Sequence, residues 1–427
     1  MQTPIEISSS TAHTSMPSGA NRLRIVALTH RVPFPPDKGD KIRTWNLLSR
    51  LARRADVHLA CLADPPGDVR YLEGLSDVFA SVKIVPIAMR SQKLRALAYI
   101  ASTTPLTLPV FHHRDLDIAV RELCEQVRPH AFYAESSSMA PYALAHPDVP
   151  LVMDFVDVDS AKWRSYASGS RFPLNLVYAR EAWALSRYER TVAAHASIST
   201  VTAARELALF HTVAPGANAR VLANGVDTDY FSARETEPCE PRVIFFGAMD
   251  YGANVEAARY LVLRVLPYLR ALVPGATVTL AGSNPTREVK ALAQVPGVTV
   301  TGFVPDIRPH VHNAMVSVVP LRVARGIQNK VLEAMAMGVP VVASASAAEG
   351  IDAVHGRDLE VAAIDPSGRA FAETIAALIR DPSRREMLAR HARQRVVERY
   401  GWATRAEELF ELLKGAAHHR QSVLTAG

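Results

Sequence analysis

Cysteine is sparse in this chain. Cys61, Cys124 and Cys239 stand far apart, form no CxxC pair and are odd in number, so no disulfide framework is available. Three reduced thiols in a cytoplasmic protein are the expectation. Glycosylation sequons are missing as well, because Asn284 is followed by Pro285. No stretch stays apolar for the roughly 18 residues that a membrane span needs. Lys and Arg never form a long run, which argues against a nucleic-acid partner. Several signatures of chemistry are absent too. There is no HExxH, no GxSxG elbow, no GxGxxG after a strand and no GxxxxGK[ST], so zinc peptidase, triad hydrolase, dinucleotide oxidoreductase and P-loop readings lose their support.

What is present is an ordinarily globular composition, 48% hydrophobic and 21% charged over 427 residues, enough for two to four domains. The net charge of +6 fits a slightly basic surface, an anionic small ligand such as a diphosphate, or contact with an anionic membrane. Residues 1–21 are polar, rich in Ser and Thr, and lack the apolar core of a signal peptide; they read as a disordered tail.

From Leu23 onward, short apolar runs alternate with helical patterns. LRIVALT, DVHLACLA, SVKIVPIA, AFYAES, LVMDFVD, SISTVT and ARVLANG form one series. A helix is expected from Lys41 to Arg54 and another from Tyr178 to His195. A polar, turn-rich stretch at 224–241 reads as a linker. A second series then begins: RVIFFGAM, a helix from Asn254 to Leu272, TVTLAG, VTVTGF, MVSVVPL and VPVVAS, closing on helix from Ser367 to Leu413. Alternation of this kind predicts an α/β protein with doubly wound parallel sheets, in two halves of similar fold. The boundaries read 22–223 for the first domain, 224–241 for the linker and 242–398 for the second domain, with 399–427 as a terminal helix.

Ligands of open α/β sheets bind at the carboxyl ends of strands, and three loops there stand out. After MVSVVPL, Gly326 is expected to open a helix whose first backbone N–H groups, at Gly326, Ile327 and Gln328, form an anion site. Lys330 adds charge, and Glu333, three residues on, shares its face and suits the hydroxyls of a ribose. An amphipathic helix with a solvated Lys–Glu pair is the plainer alternative. After the first strand, Gly39 sits where a phosphate can approach the backbone, or serves as an ordinary turn glycine. After LVMDFVD, Asp157 and Asp159 precede Lys162, Trp163 and Arg164, which suits a sugar acceptor or a structural salt-bridge cluster. Two aspartates without a third ligand are weak evidence for a metal, so no metal and no cofactor are expected.

GIQNKVLEAMAMGVPVVAS resembles the donor-binding motif of family 4 glycosyltransferases of the GT-B fold, and ANGVD at Ala223–Asp227 resembles their linker. RVPFPPDKGDKIRTWNLLSRL and DFVDVDSAKWRSYA further resemble the sugar transferases associated with exosortase/PEP-CTERM systems. The resemblance implies two Rossmann-like domains facing across a cleft, 22–223 on the acceptor side and 242–398 binding the donor, with the terminal helix 399–427 packing back on the first. It also implies metal-independent transfer of a hexosyl group with retention, a nucleotide-diphosphate sugar donor, and a glycan or lipid-linked acceptor in exopolysaccharide assembly. Glu333 matches the second of the family's paired glutamates, the donor-ribose ligand, whereas Arg325 occupies the place of the first. The Arg and Lys usual after the first strand of the second domain are missing from FFGAMDYGANVEA. Asp157, Lys330 and Glu333 are the catalytic candidates; Gly39, Arg325, Gly326, Ile327 and Gln328 join Lys330 and Glu333 at the donor. A nucleotide-sugar epimerase and an inactive sugar-nucleotide-binding protein are the competing functions. Finally, Arg90 to Arg114 carries Arg90, Lys93 and Arg95 ahead of apolar residues. This segment suits peripheral contact with the inner face of the plasma membrane, or packing on the first domain beside the acceptor.

Overall fold

The structure is a computed structural model that describes residues 22–36, 39–324 and 327–426. The chain divides into two compact units: Met1–Asn224 together with Arg405–Gly427, and Gly225–Thr404. The expected N-terminal tail lies outside the described residues.

The first unit holds seven parallel strands: β1 (Arg24–Thr29), β2 (Asp56–Ala63), β3 (Ser81–Pro86), β4 (Ala131–Glu135), β5 (Leu151–Val156), β6 (Ile198–Val201) and β7 (Ala219–Val221). Their order is β3-β2-β1-β4-β5-β6-β7. Strands β1, β2, β4 and β5 are almost wholly buried, as expected where helices cover both faces of a parallel sheet. The main helices are α1 (Gly39–Leu51), α2 (Met89–Ala96), α3 (Arg114–Val127), α4 (Asp159–Gly169), α5 (Leu174–His195) and α6 (Ala204–Val213). Helix α1 begins two residues before the expected start and ends three before the expected finish. Helix α5 begins four residues early, because Pro173 sits at its N-cap, the position just ahead of the first turn.

The second unit holds β8 (Arg242–Phe246), β9 (Thr277–Ala281), β10 (Val298–Val300), β11 (Val316–Val319), β12 (Val341–Ala343) and β13 (Glu360–Val361), all parallel, in the order β10-β9-β8-β11-β12-β13. Helix α7 (Gly252–Tyr260) runs through a π-helical turn, Leu261–Val265, into α8 (Leu266–Leu272). Helix α9 (Asn329–Ala336) joins β11 to β12. The terminal helical region breaks into α10 (Arg369–Arg380), α11 (Pro382–Tyr400) and α12 (Trp402–Ala426). Pro382 cannot continue α10 and instead starts α11 behind Asp381, whose side chain accepts from the Arg384 N–H.

Residues 225–241 pack along the second unit instead of hanging free. The Arg234 N–H donates to the Met337 carbonyl (3.1 Å), its guanidinium to the Ala314 carbonyl (2.8 Å), and Glu237 pairs with the buried Arg385. At the NGVD motif, Asn224 accepts from Arg43 (2.9 Å), and the Val226 N–H donates to the Tyr400 carbonyl (2.7 Å). A Cβ on Gly225 would stand 2.6 Å from the Trp402 ring. The motif is therefore fixed by contacts at Asn224, Gly225 and Val226. Among the described residues no helix is long and apolar enough to cross a membrane.

Candidate functional site

In each sheet the strand order reverses beside its first strand, at β1/β4 and at β8/β11. Such switch points leave a crevice outside the carboxyl ends of the strands. The side chains gathered at these two places are the functional candidates.

In the second unit, β8 runs into Gly247 and β9 into Gly282, both at positive φ (147° and 145°). A Cβ on Gly282 would fall 1.8 Å from the Gly247 carbonyl oxygen, so only glycine allows these backbones to approach. A Cβ on Gly247 would meet Asn254 Nδ2 at 3.1 Å and Lys330 Nζ at 3.2 Å. Asn254, in the first turn of α7, donates through Nδ2 to the Ala248 carbonyl (2.8 Å) and accepts from Lys330 Nζ at Oδ1 (2.6 Å). The Lys330 ammonium also lies 5.1 Å from the centre of the Phe245 ring. Burial lowers the Lys330 ammonium to about 8, partly offset by Glu333. Burial likewise raises Glu333 to about 7, partly offset by Lys330. Both groups therefore change charge close to neutrality, a property of reactive and binding sites.

The structure corrects the reading of the loop before them. Arg325 and Gly326 lie outside the described residues. Helix α9 opens at Asn329 behind an extended Gln328, so Gln328 is the N-cap and Ile327 precedes it. The Ile327 side chain is half-buried against the core of the second unit. Among the described residues the first-turn N–H groups are those of Asn329 onward, and Ile327 and Gln328 precede the helix. Helical periodicity extends readily backward through a glycine, and nothing in the residue pattern marks Gln328 as the stop.

In the first unit, Leu28 sits opposite Ala134 in the β1–β4 register, so His30 and Glu135 emerge side by side. His30 Nδ1 is 3.0 Å from Glu135, its Nε2 is 3.5 Å from Asp40 in the first turn of α1, and Arg31 holds Asp40 at 2.6 Å. Burial opposes the imidazolium, but Glu135 and Asp40 outweigh it and raise His30 to about 9. The hydrogen bond from His30, together with Arg31, holds the Asp40 carboxyl well below the usual range. Deeper in the sheet, Arg43 donates two hydrogen bonds to the Asp154 carboxylate (3.0 and 3.2 Å), which also accepts from Tyr133 and Thr200.

Gly39 is the first residue of α1, and a Cβ there would meet nothing within 4 Å. The fold itself does not demand glycine at that position. Asp157 follows β5, is exposed, and accepts from Thr202 Oγ1 at 3.3 Å. Asp159 is half-buried at the start of α4, and burial raises its carboxyl. The structure thus brings together Lys330 and Glu333 in the second unit and places Gly39 and Asp157 in the first. Sequence reasoning missed Asn254, Gly247, Gly282 and the His30–Glu135–Asp40 cluster. Asn254 and Gly247 left a signal, since both lie in the very stretch singled out for lacking its usual Arg and Lys. Among the described residues no group of three or more His, Cys, Asp and Glu is arranged to hold a metal. A cavity of about 630 Å³ lies between residues 233–237 and α11. Gly338 in its wall places it at the amino end of β12, the opposite edge of the sheet from Lys330.

Residues 240–381 match the family model for glycosyl transferases group 1. The chain is 26% identical over 291 residues to a glycogen synthase of Mycobacterium tuberculosis, covering 65% of this chain and 66% of that protein, just under two thirds of its length. It is 29% identical over 231 residues to the GDP-mannose-dependent alpha-(1-6)-phosphatidylinositol monomannoside mannosyltransferase of Mycolicibacterium smegmatis, covering 49% of this chain and 59% of that one. Among solved structures, sucrose-phosphate synthase from Thermosynechococcus elongatus superposes with a TM-score of 0.61 at 17% identity, over 95% of this chain and all of the other. Anabaena HepE in complex with UDP gives 0.61 at 16%, over 92% and 100%. The chain carries the GT-B fold, and over its second unit it is similar to the glycosyl transferases of group 1.

Proposed function

We propose that this chain transfers a hexosyl group from a nucleotide-diphosphate sugar to a glycan or lipid-linked acceptor, with retention at the anomeric carbon. The observation that carries the reading is the Lys330–Asn254 pair at the β8/β11 switch point, with Glu333 one turn further along the same helix. Gly247 and Gly282 keep the floor beneath it free of side chains. A diphosphate seated there meets the Lys330 ammonium, and its charge favours the protonated form. The ribose hydroxyls fall to the Glu333 carboxylate. As the glycosyl bond breaks, negative charge grows on the leaving diphosphate, and a preorganised cation in a poorly hydrated crevice is well suited to stabilise it. That HepE has also been solved with UDP-glucose on the same fold supports a donor of this class. Asp157 and Gly39 are assigned to the acceptor side and to phosphate approach. A role in exopolysaccharide assembly rests on the motifs shared with exosortase/PEP-CTERM-associated transferases.

A thermal-shift panel of UDP-, GDP-, ADP- and dTDP-sugars tests the donor reading. One class should stabilise the fold by about 2.7 kcal/mol at 100 times its dissociation constant. Turnover of that donor should need acceptor and persist in EDTA, and the product should keep the donor's anomeric configuration. No stabilisation by any sugar nucleotide overturns the proposal; turnover without acceptor that yields an epimerised donor replaces transfer by epimerisation.

A further inference from the structure

The cavity between residues 233–237 and α11 takes no part in the donor crevice, and its innermost charges are out of balance. Arg234 and Arg393 line it, and the buried Arg385 shares Glu237 with Arg234. Among the described residues Glu237 is the one carboxylate paired with any of these three arginines. Burial, and Arg385 after it, lower the Arg234 guanidinium, with Glu237 opposing them.

Arg393 is the cation left without a counter-ion. Its Nη1 donates to the carbonyls of Phe231 (3.2 Å) and Ala336. Its Nε and Nη2 bond to nothing among the described residues, yet neither is sealed into the core. A half-buried guanidinium pinned by one nitrogen presents its remaining donors as a rigid fork, the geometry that matches an oxyanion. Arg390 stands one helical turn before it and lines the same cavity. Its ion-pair partner Glu386 is 3.7 Å away, beyond hydrogen-bond reach, so Arg390 keeps donors for a ligand. The outer wall differs: Glu235, Gln394 and Glu398 are exposed there and offer acceptors suited to hydroxyl groups. A volume of about 630 Å³ is that of a small-molecule site, and a bare inorganic anion would leave most of it unfilled.

We propose that this cavity binds a phosphorylated small sugar, its phosphate held by Arg390 and Arg393 and its hydroxyls by Glu235, Gln394 and Glu398. The inference stands on this cavity alone and does not depend on the donor reading. It is tested by calorimetric titration of the full chain with mannose 6-phosphate, mannose and inorganic phosphate. Mannose 6-phosphate should bind at least about tenfold more tightly than mannose, and inorganic phosphate should compete with it. Arg393 also holds the last carbonyl of α9, so the deciding variants lie elsewhere on the wall. Arg390→Ala should weaken mannose 6-phosphate by about tenfold, through loss of a charge-assisted hydrogen bond. Ala233→Phe should weaken it by filling the cavity. Both positions are exposed, so both variants should keep the melting temperature of the wild type. Lys330→Ala, at the other edge of the sheet, should leave the binding unchanged. The proposal is overturned if neither phosphate probe binds, if mannose binds as tightly as its phosphate, or if either wall variant binds as the wild type does. Binding that Lys330→Ala abolishes overturns it in favour of the donor crevice.

Discussion

Lys330 shows how one contact sets the working range of a site. Its ammonium is held by Asn254 and depressed to about 8 by burial, while burial raises the neighbouring Glu333 to about 7. On the proposed reading the donor is held by a charged Lys330 and an ionised Glu333, so donor affinity should peak near pH 7–8 and fall on both sides. Lys330→Arg should flatten the alkaline side. Lys330→Ala and Glu333→Ala should each weaken donor use roughly ten- to a hundred-fold, the loss of a charge-assisted hydrogen bond. Donor titrations over pH read all three, and unchanged donor kinetics in both alanine variants would remove this site. His30 makes a separate prediction. Its folded value is raised from 6.5 to about 9, so its contribution to stability is complete below pH 6.5 and is lost as pH climbs through about 9. The difference corresponds to at most about 3.4 kcal/mol. Urea unfolding of the wild type and of His30→Gln should therefore differ most near pH 6 and converge above pH 9; a pH-independent gap would contradict the ion cluster.

At the scale of elements, glycines at strand ends and helix starts separate into two kinds. Gly282 is required by the fold, since any Cβ would strike the Gly247 carbonyl, and its φ of 145° is a further strain for other residues. Gly282→Ala should lower the melting temperature sharply or prevent soluble expression, as a steric and backbone defect of several kcal/mol. Gly39→Ala should leave melting unchanged, because nothing lies within 4 Å of the added carbon. A loss of kcat/KM in that stable variant would mark Gly39 as a place where substrate comes close.

At the scale of the molecule, the two sheets were legible because buried parallel strands are nearly continuous apolar runs such as RIVALT and RVIFF. Lys330 and Glu333 were legible because helical spacing alone puts them on one face. The His30–Glu135 pair was not, since 105 residues separate its members and only the β1–β4 register unites them. Asn254 was hidden for the same reason, 76 residues from Lys330. Strand β13 spans two residues and leaves no pattern to read.

The first unit is discontinuous in sequence, and this bears on how the chain is made. Its last segment begins at Arg405, after the whole of the second unit. Within it Glu407 pairs with Arg54, and the Arg54 guanidinium lies 4.2 Å from the centre of the Phe410 ring. On a ribosome that adds about 5–20 residues per second, the second unit has all of its residues before the first receives its final helix. The second unit can therefore fold first, while the first unit waits with the α1 end of its surface uncovered until the last residues emerge.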